Sequence, residues 1–153
     1  MRRREKEITD KALMDAIIAG ARVCRLGLCR DNIPYVVPVN FGHKDGSLYI
    51  HSAREGLKME ILKVNNRVCV EMEVDVEVVP ADAPCDWTVQ YYSIIGFGTA
   101  HIVLDPQEKV RGLDIIMEHH RAPSQQPYPP GLIEKVAIIR IDVERMTGKK
   151  SGY

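Results

Sequence analysis

The stretch Arg67-Val68-Cys69-Val70-Glu71-Met72-Glu73-Val74-Asp75-Val76-Glu77-Val78 decides the fold class. Every even position is apolar, and the odd positions carry Arg67, Cys69 and four acids. A period of two means a strand with one buried face and one wet face. Twelve residues at about 3.3 Å each would span about 40 Å, longer than an ordinary strand, so a bend, a bulge or an early end is expected. Side chains strung along one strand do not converge on an ion. The acid stripe therefore reads as a solvated face that also blunts an edge, rather than as a divalent-cation site.

The flanking segments repeat the pattern. Cys24, Leu26 and Leu28 alternate with Arg25, Gly27 and Cys29 up to the turn formers Asp31-Asn32. Residues 35–41 continue as a strand in which Pro38 lacks a ladder N–H and so belongs at an edge or a bulge. Asp45-Gly46 supplies a tight hairpin into Leu48-Tyr49-Ile50-His51, predicting that this strand pairs antiparallel with 35–41. Further on, 91–104 and 136–143 read as strands, the first bent at Gly96 and Gly98. Residues 146–153 read as a polar tail and 121–131, with four prolines, as a loop.

Three helices fit between these strands. Residues 9–21, within an N-terminal helical segment 1–21, have Thr9 or Asp10 as cap and Leu13, Ala16, Ile17 and Ile18 toward a core. Leu57, Ile61 and Val64 follow Gly56 at helical spacing and stop at Asn65-Asn66. Asp105-Pro106-Gln107-Glu108 opens the third, whose apolar face is Val110, Leu113, Ile116 and Met117. Hairpin chemistry with so few helices excludes a doubly wound parallel sheet and favours a closed or partly closed antiparallel barrel.

Composition bounds the function. The chain has 153 residues, 45% apolar and 27% charged, which suits one domain, residues 1–153. Lys+Arg and Asp+Glu are 21 each, so no net field draws in nucleic acid or an anionic membrane. No apolar run approaches the ~20 residues of a membrane span, and the amino terminus is too mixed in charge for a signal peptide, so a cytoplasmic location is expected. Four scattered cysteines read as reduced thiols, and no metal site is expected from their spacing. Glycine-rich nucleotide loops and the GxSxG elbow are missing. His119-His120 reads as a cation at a helix end.

The segment Tyr49-Ile50-His51-Ser52-Ala53-Arg54-Glu55-Gly56-Leu57-Lys58 carries the chemistry. A strand end presents Ser52, small residues follow, and a helix begins near Lys58. A hydroxyl, free amides, a positive helix end and an ammonium can thus converge on a phosphate. The bland alternative is a helix cap and a surface lysine.

Taken in order, Pro34-Tyr35-Val36-Val37-Pro38-Val39-Asn40-Phe41-Gly42, Asp45-Gly46, Leu48 to Ala53, Glu55-Gly56-Leu57-Lys58, Asn66-Arg67-Val68-Cys69, Cys85-Asp86-Trp87, Tyr92 to Gly98 and Met146 to Gly152 resemble the pyridoxamine 5'-phosphate oxidase-related flavoproteins, most of all the nitroimidazole-resistance subgroup. The resemblance implies a mainly β, FMN-binding split β-barrel, antiparallel and of Greek-key type with a few flanking helices. It implies a homodimer with FMN at the subunit interface and a flavin-dependent reductase or oxidase acting on a small molecule, nitroaromatics among the candidates, with NAD(P)H as a candidate donor. By position, Ser52 and Lys58 match the phosphate contacts and Ala53 lies beside them. Val37, Pro38, Val39 and Asn40 match the strand facing the flavin ring, and Ser93 matches a polar contact. Leu57 stands where many relatives carry Arg, with Arg54 the nearest substitute. His51, one residue before the phosphate contacts, is counted with the cofactor-binding residues, facing the flavin or the substrate. It reads either as a core or rim histidine or as a proton donor, the one candidate catalytic residue; Trp87 and Tyr91 read either as pocket walls or as plain core or interface aromatics. The alternative function is a flavin- or haem-binding module without turnover.

Overall fold

The computed structural model describes residues 3–123, 127–129 and 131–153. Its strands are β1 (Glu7–Ile8), β2 (Cys24–Arg30), β3 (Ile33–Val39), β4 (Gly42–Lys44), β5 (Ser47–Ala53), β6 (Arg67–Val79), β7 (Thr88–Val103) and β8 (Val136–Ser151). The helices are α1 (Lys11–Gly20), α2 (Leu57–Val64), α3 (Pro106–His119) and the short α4 (Leu132–Lys135). All pairings are antiparallel in the order β3-β2-β6-β7-β8-β5-β4, with β1 added to β8. The sheet is not closed, because β3 and β4 are free edges.

The period-two reading of β6 holds where the strand has a core to face. Val68, Val70 and Met72 are buried, but Val76 and Val78 are exposed. The change of face falls at a register shift between Val74 and Glu77, with Asp75 at φ 53°. This is the expected bulge. On β2, Cys24, Leu26 and Leu28 are buried, while Cys29 lies on the other face and is only partly covered. Leu26 of β2 and Ile50 of β5 share one buried cluster although three strands separate theirs in the sheet, so the sheet curls round a common core with Phe41 fully enclosed.

Several expectations are corrected. The hairpin at Asp45-Gly46 joins β5 to β4, not to 35–41, whose partner is β2. Residues 146–151 are strand, because β8 runs on to pair Met146 through Ser151 with the far half of β7. The N-terminal segment is not one helix: a 3-10 turn at Arg4–Lys6 leads into Glu7–Ile8, which pairs with β8, and the α-helix begins at Lys11. Asp10 is the cap of α1, accepting from the Ala12 amide at 2.8 Å. The helix faces are borne out in part: Ile17, Ile18, Ile61 and Ile116 are buried and Leu13 and Leu113 pack against the core, whereas Leu57 and Val64 are exposed. Ile17 and Ile18 of α1 are buried but Ala16 is exposed, α2 buries Met59, Ile61 and Leu62, and α3 buries Gly112, Ile115 and Ile116. Asp105 does cap α3, accepting from the Glu108 amide at 2.8 Å. Part of the expected loop at 121–131 lies outside the described residues; its described residues form no strand or helix.

α3 lies on β4 and β5 over a second buried cluster of Tyr49, Val103, Ile115, Ile116 and Ile138. Gly42 makes that approach practicable, since a Cβ there would stand 2.5 Å from the Ile115 carbonyl oxygen. Among the described residues no helix is long and apolar enough to cross a membrane, and all four cysteines are free.

Candidate functional site

A cleft of about 470 Å³ opens where edge strand β3, the end of β5 and the start of α2 meet. It brings together Pro38, Val39, Asn40, His51, Ser52, Ala53 and Lys58. These are seven of the nine residues expected to hold a cofactor.

The corner is shaped by the β5–α2 turn. Among the described residues Ser52 is the one buried polar side chain, 9% exposed, on the face of β5 that also buries Leu48 and Ile50. Among the described residues its hydroxyl has no hydrogen-bond partner. Gly56 caps α2 at φ 109°, a backbone geometry that disfavours any other residue, and gives the helix no side-chain cap. The first amides of α2 are therefore left to an outside acceptor, at the positive end of the helix dipole. Lys58 is half-buried one step into the helix, with no carboxylate or other partner among the described residues. Burial pushes its ammonium pKa down. A counter-charge in the cleft would relieve that penalty.

β3 contributes a second feature. Pro34 and Pro38 share one parity with Val36, and proline has no N–H to give β2. The backbone groups that bond β2 are thus those of the alternate residues, and the carbonyl of Pro38 turns to the open edge. The Val37 side chain packs against the core instead of lining the cleft. His51 and Asn40 are exposed on the rim.

Ser93 lies elsewhere. It lines a separate cleft of about 400 Å³ with Glu71, Glu73, Tyr91, Ile95 and Lys149 on the outer face of the sheet. Tyr91 accepts there from Lys149 Nζ at 2.6 Å, and Trp87 is exposed and donates to the Ala81 carbonyl at 2.7 Å, so neither aromatic walls the Ser52 cleft. Arg54 donates to the Glu134 carbonyl at 3.0 Å and lines a different groove, so it does not replace the arginine that Leu57 displaces. Two lining residues were not foreseen, Tyr35 and Glu55. Tyr35 shares the core-facing side of β3 with Val37 and Val39 and carried no signal beyond strand patterning. Glu55 places an acid in the lining of the same cleft as Lys58. Among the described residues no group of histidine, cysteine and acidic side chains could hold a metal.

The family profile described as Pyridoxamine 5'-phosphate oxidase matches residues 10–150. The chain belongs to that family. Among solved structures, a putative 5-nitroimidazole antibiotic resistance protein from Bacteroides thetaiotaomicron is 34% identical, with TM-score 0.83 over 94% of this chain and 86% of that one. The flavocytochrome Anf3 from Azotobacter vinelandii superposes with TM-score 0.83 over 100% of this chain and 72% of its own at 18% identity. A FAD and heme binding protein from Mycobacterium smegmatis does so with TM-score 0.80 over 97% and 74% at 19% identity. At such identities the last two bear on the fold alone. An uncharacterised protein of Rhizobium meliloti is 32% identical over 56 residues, 37% of this chain and 36% of that relative's length. The family's fold is the open, curled antiparallel sheet seen here, a split barrel.

Proposed function

We propose that this family member is an FMN-dependent oxidoreductase of the cytoplasm, acting on a small acceptor of the nitroaromatic class as a homodimer with flavin at the subunit interface. The observation that carries the reading is the corner where the unpartnered Ser52 hydroxyl, the uncapped amides of α2 and the half-buried Lys58 ammonium share one cleft. Its volume of about 470 Å³ falls within the range of small-molecule and cofactor sites.

On this reading Ser52 donates to a phosphate oxygen, Lys58 supplies the charge and the start of α2 donates its amides. Ala53 leaves the approach clear. The Pro38 carbonyl and the exposed Asn40 meet the ring, and Val37 and Val39 hold that strand in register on β2. His51 at the rim orients the ring or hands a proton to the acceptor. Bound FMN supplies hydride and electron transfer between a donor such as NAD(P)H and the acceptor. With Leu57 in place of an arginine, Arg54 engaged elsewhere and Glu55 at the rim, charge compensation rests on Lys58 and the helix end.

The homodimer has its own support. The face of β3, β2, β6 and β7 turned away from the core leaves Val36, Val76, Ile95 and Phe97 exposed, an apolar surface. Ser93 sits on that face, where a second copy would meet it.

The chain purified without added cofactor should be yellow and release FMN. NADH or NADPH should bleach it, and a nitroaromatic acceptor should restore the colour. A colourless protein that also refuses added FMN overturns the reading. The second reading, a flavin- or haem-binding module without turnover, draws on the folds shared with the flavocytochrome and the FAD and heme binding protein. Released FAD, or a Soret band on adding haem, without bleaching by either nicotinamide, would favour it.

A further inference from the structure

The proposed cofactor cleft leaves a second basic corner unused. α1 ends at Gly20 and α3 at His119, and their C-terminal ends enclose a pocket of about 240 Å³. Small residues 19–21 form one wall, and Arg22, His119, His120 and Arg121 the other. Cations at helix C-terminal ends ordinarily serve the terminal carbonyls. Here several of those carbonyls already have partners, on α3 and just past α1. His119 Nε2 stands 2.8 Å from the Ala21 carbonyl oxygen. The last turn of α3 closes on itself, with the Arg121 amide donating to Glu118 at 3.0 Å and the Ala122 amide to Met117 at 3.0 Å.

The charges are therefore left over. Among the described residues neither guanidinium has a hydrogen bond or an ion pair, whereas Arg25, Arg67 and Arg140 all meet carboxylates. No acid lines the pocket. His120 Nε2 is buried and has no partner. Burial first, then His119, Arg22 and His51, hold the His120 pKa below its ordinary value, against a hydrogen bond to the Phe41 backbone that raises it. Arg121 sits at φ 54°, in the left-handed position closing a helix where glycine is the usual residue. A side chain held there against its backbone preference is better explained by what its guanidinium does than by the helix end.

We propose that this pocket is an anion site that takes a phosphate-sized oxyanion, with Arg22 and Arg121 supplying the charge and the hydrogen-bond donors and the His120 ring lining it. The volume admits one such group and is below that of a cofactor site. None of its lining residues lines the Ser52 cleft, and the site would stand if that corner held no flavin.

The test uses the full chain carrying Lys58→Met, so that inorganic phosphate cannot report on the other corner. Calorimetric titration with inorganic phosphate should show one saturable site per chain, and the His120 ring resonances should move with the same titration. Arg121→Gly and Arg22→Gln, each in that background, should weaken binding at least about tenfold, the loss of roughly one charged hydrogen bond. Glycine suits φ 54°, so Arg121→Gly should melt no lower than its parent. Absence of saturable binding overturns the proposal. So does unchanged affinity in Arg121→Gly together with a lower melting temperature, which would make Arg121 a helix-end residue only.

Discussion

Replacing Lys58 by methionine should move affinity and stability in opposite directions. The ammonium stands half-buried and unpaired at the mouth of α2, so the empty cleft bears an uncompensated charge. Its pKa lies below the ordinary 10.5 because burial disfavours the charged form. For a base with a lowered folded pKa the resulting stability deficit is fully present below that pKa, and it shrinks as pH rises toward 10.5. Methionine keeps the aliphatic stem and removes the charge. The cofactor-free Lys58→Met protein should melt at or above the wild-type temperature at pH 7, and the gap should narrow as pH rises through the folded pKa. One hydrogen bond between charged groups contributes about 1.5–3 kcal/mol, which at about 1.36 kcal/mol per decade is about a 13- to 160-fold loss of FMN affinity. Quenching of flavin fluorescence measures both constants. Riboflavin, which has the ring but no phosphate, should bind wild type and variant alike. FMN affinity unchanged within about twofold, or an equal loss for riboflavin, would refute the phosphate assignment.

Two further perturbations probe the frame that holds the cleft. Gly42→Ala should destabilise by about 1–3 kcal/mol in urea unfolding, because the new methyl meets the Ile115 backbone at 2.5 Å and α3 must shift; a variant as stable as wild type would mean that α3 does not rest on β4 there. Glu144 accepts hydrogen bonds from Arg67 and Thr99, which hold its carboxyl at about 2 instead of 4.5. The stability this adds is present above pH 4.5 and lost as pH falls toward 2, so the melting-temperature difference between wild type and Glu144→Gln should be largest near neutrality and vanish at the acid end. A difference independent of pH would show that the pairing contributes nothing through ionisation.

Much of the site was legible because its pieces are close in the chain. Residues 51–58 cross one strand end, one turn and one helix start, so local geometry alone brings Ser52, the open cap at Gly56 and Lys58 together. Pro38 could be assigned to an edge for a chemical reason, its missing N–H, and β3 is an edge. Ser93 and Arg54 were less legible. Which cleft a strand residue faces depends on parity counted through its neighbours, and Ser93 shares its face with Glu73 and Lys149, which turns it away from the corner. Whether an arginine beside a phosphate corner is free depends on a carbonyl eighty residues away, that of Glu134.

Sequence alone determined the period of β6, the turns at Asp31-Asn32 and Asp45-Gly46, and the cap of α3, because a side-chain pattern or a few neighbouring groups decide each of them within one element. Tertiary structure decided that β8 continues through Ser151, that the Asp45-Gly46 hairpin closes on β4, and that two helix C-termini surround a basic pocket. The first and last of these depend on partners 40 or more residues distant along the chain, where loop closure and packing against a shared core outweigh local preference.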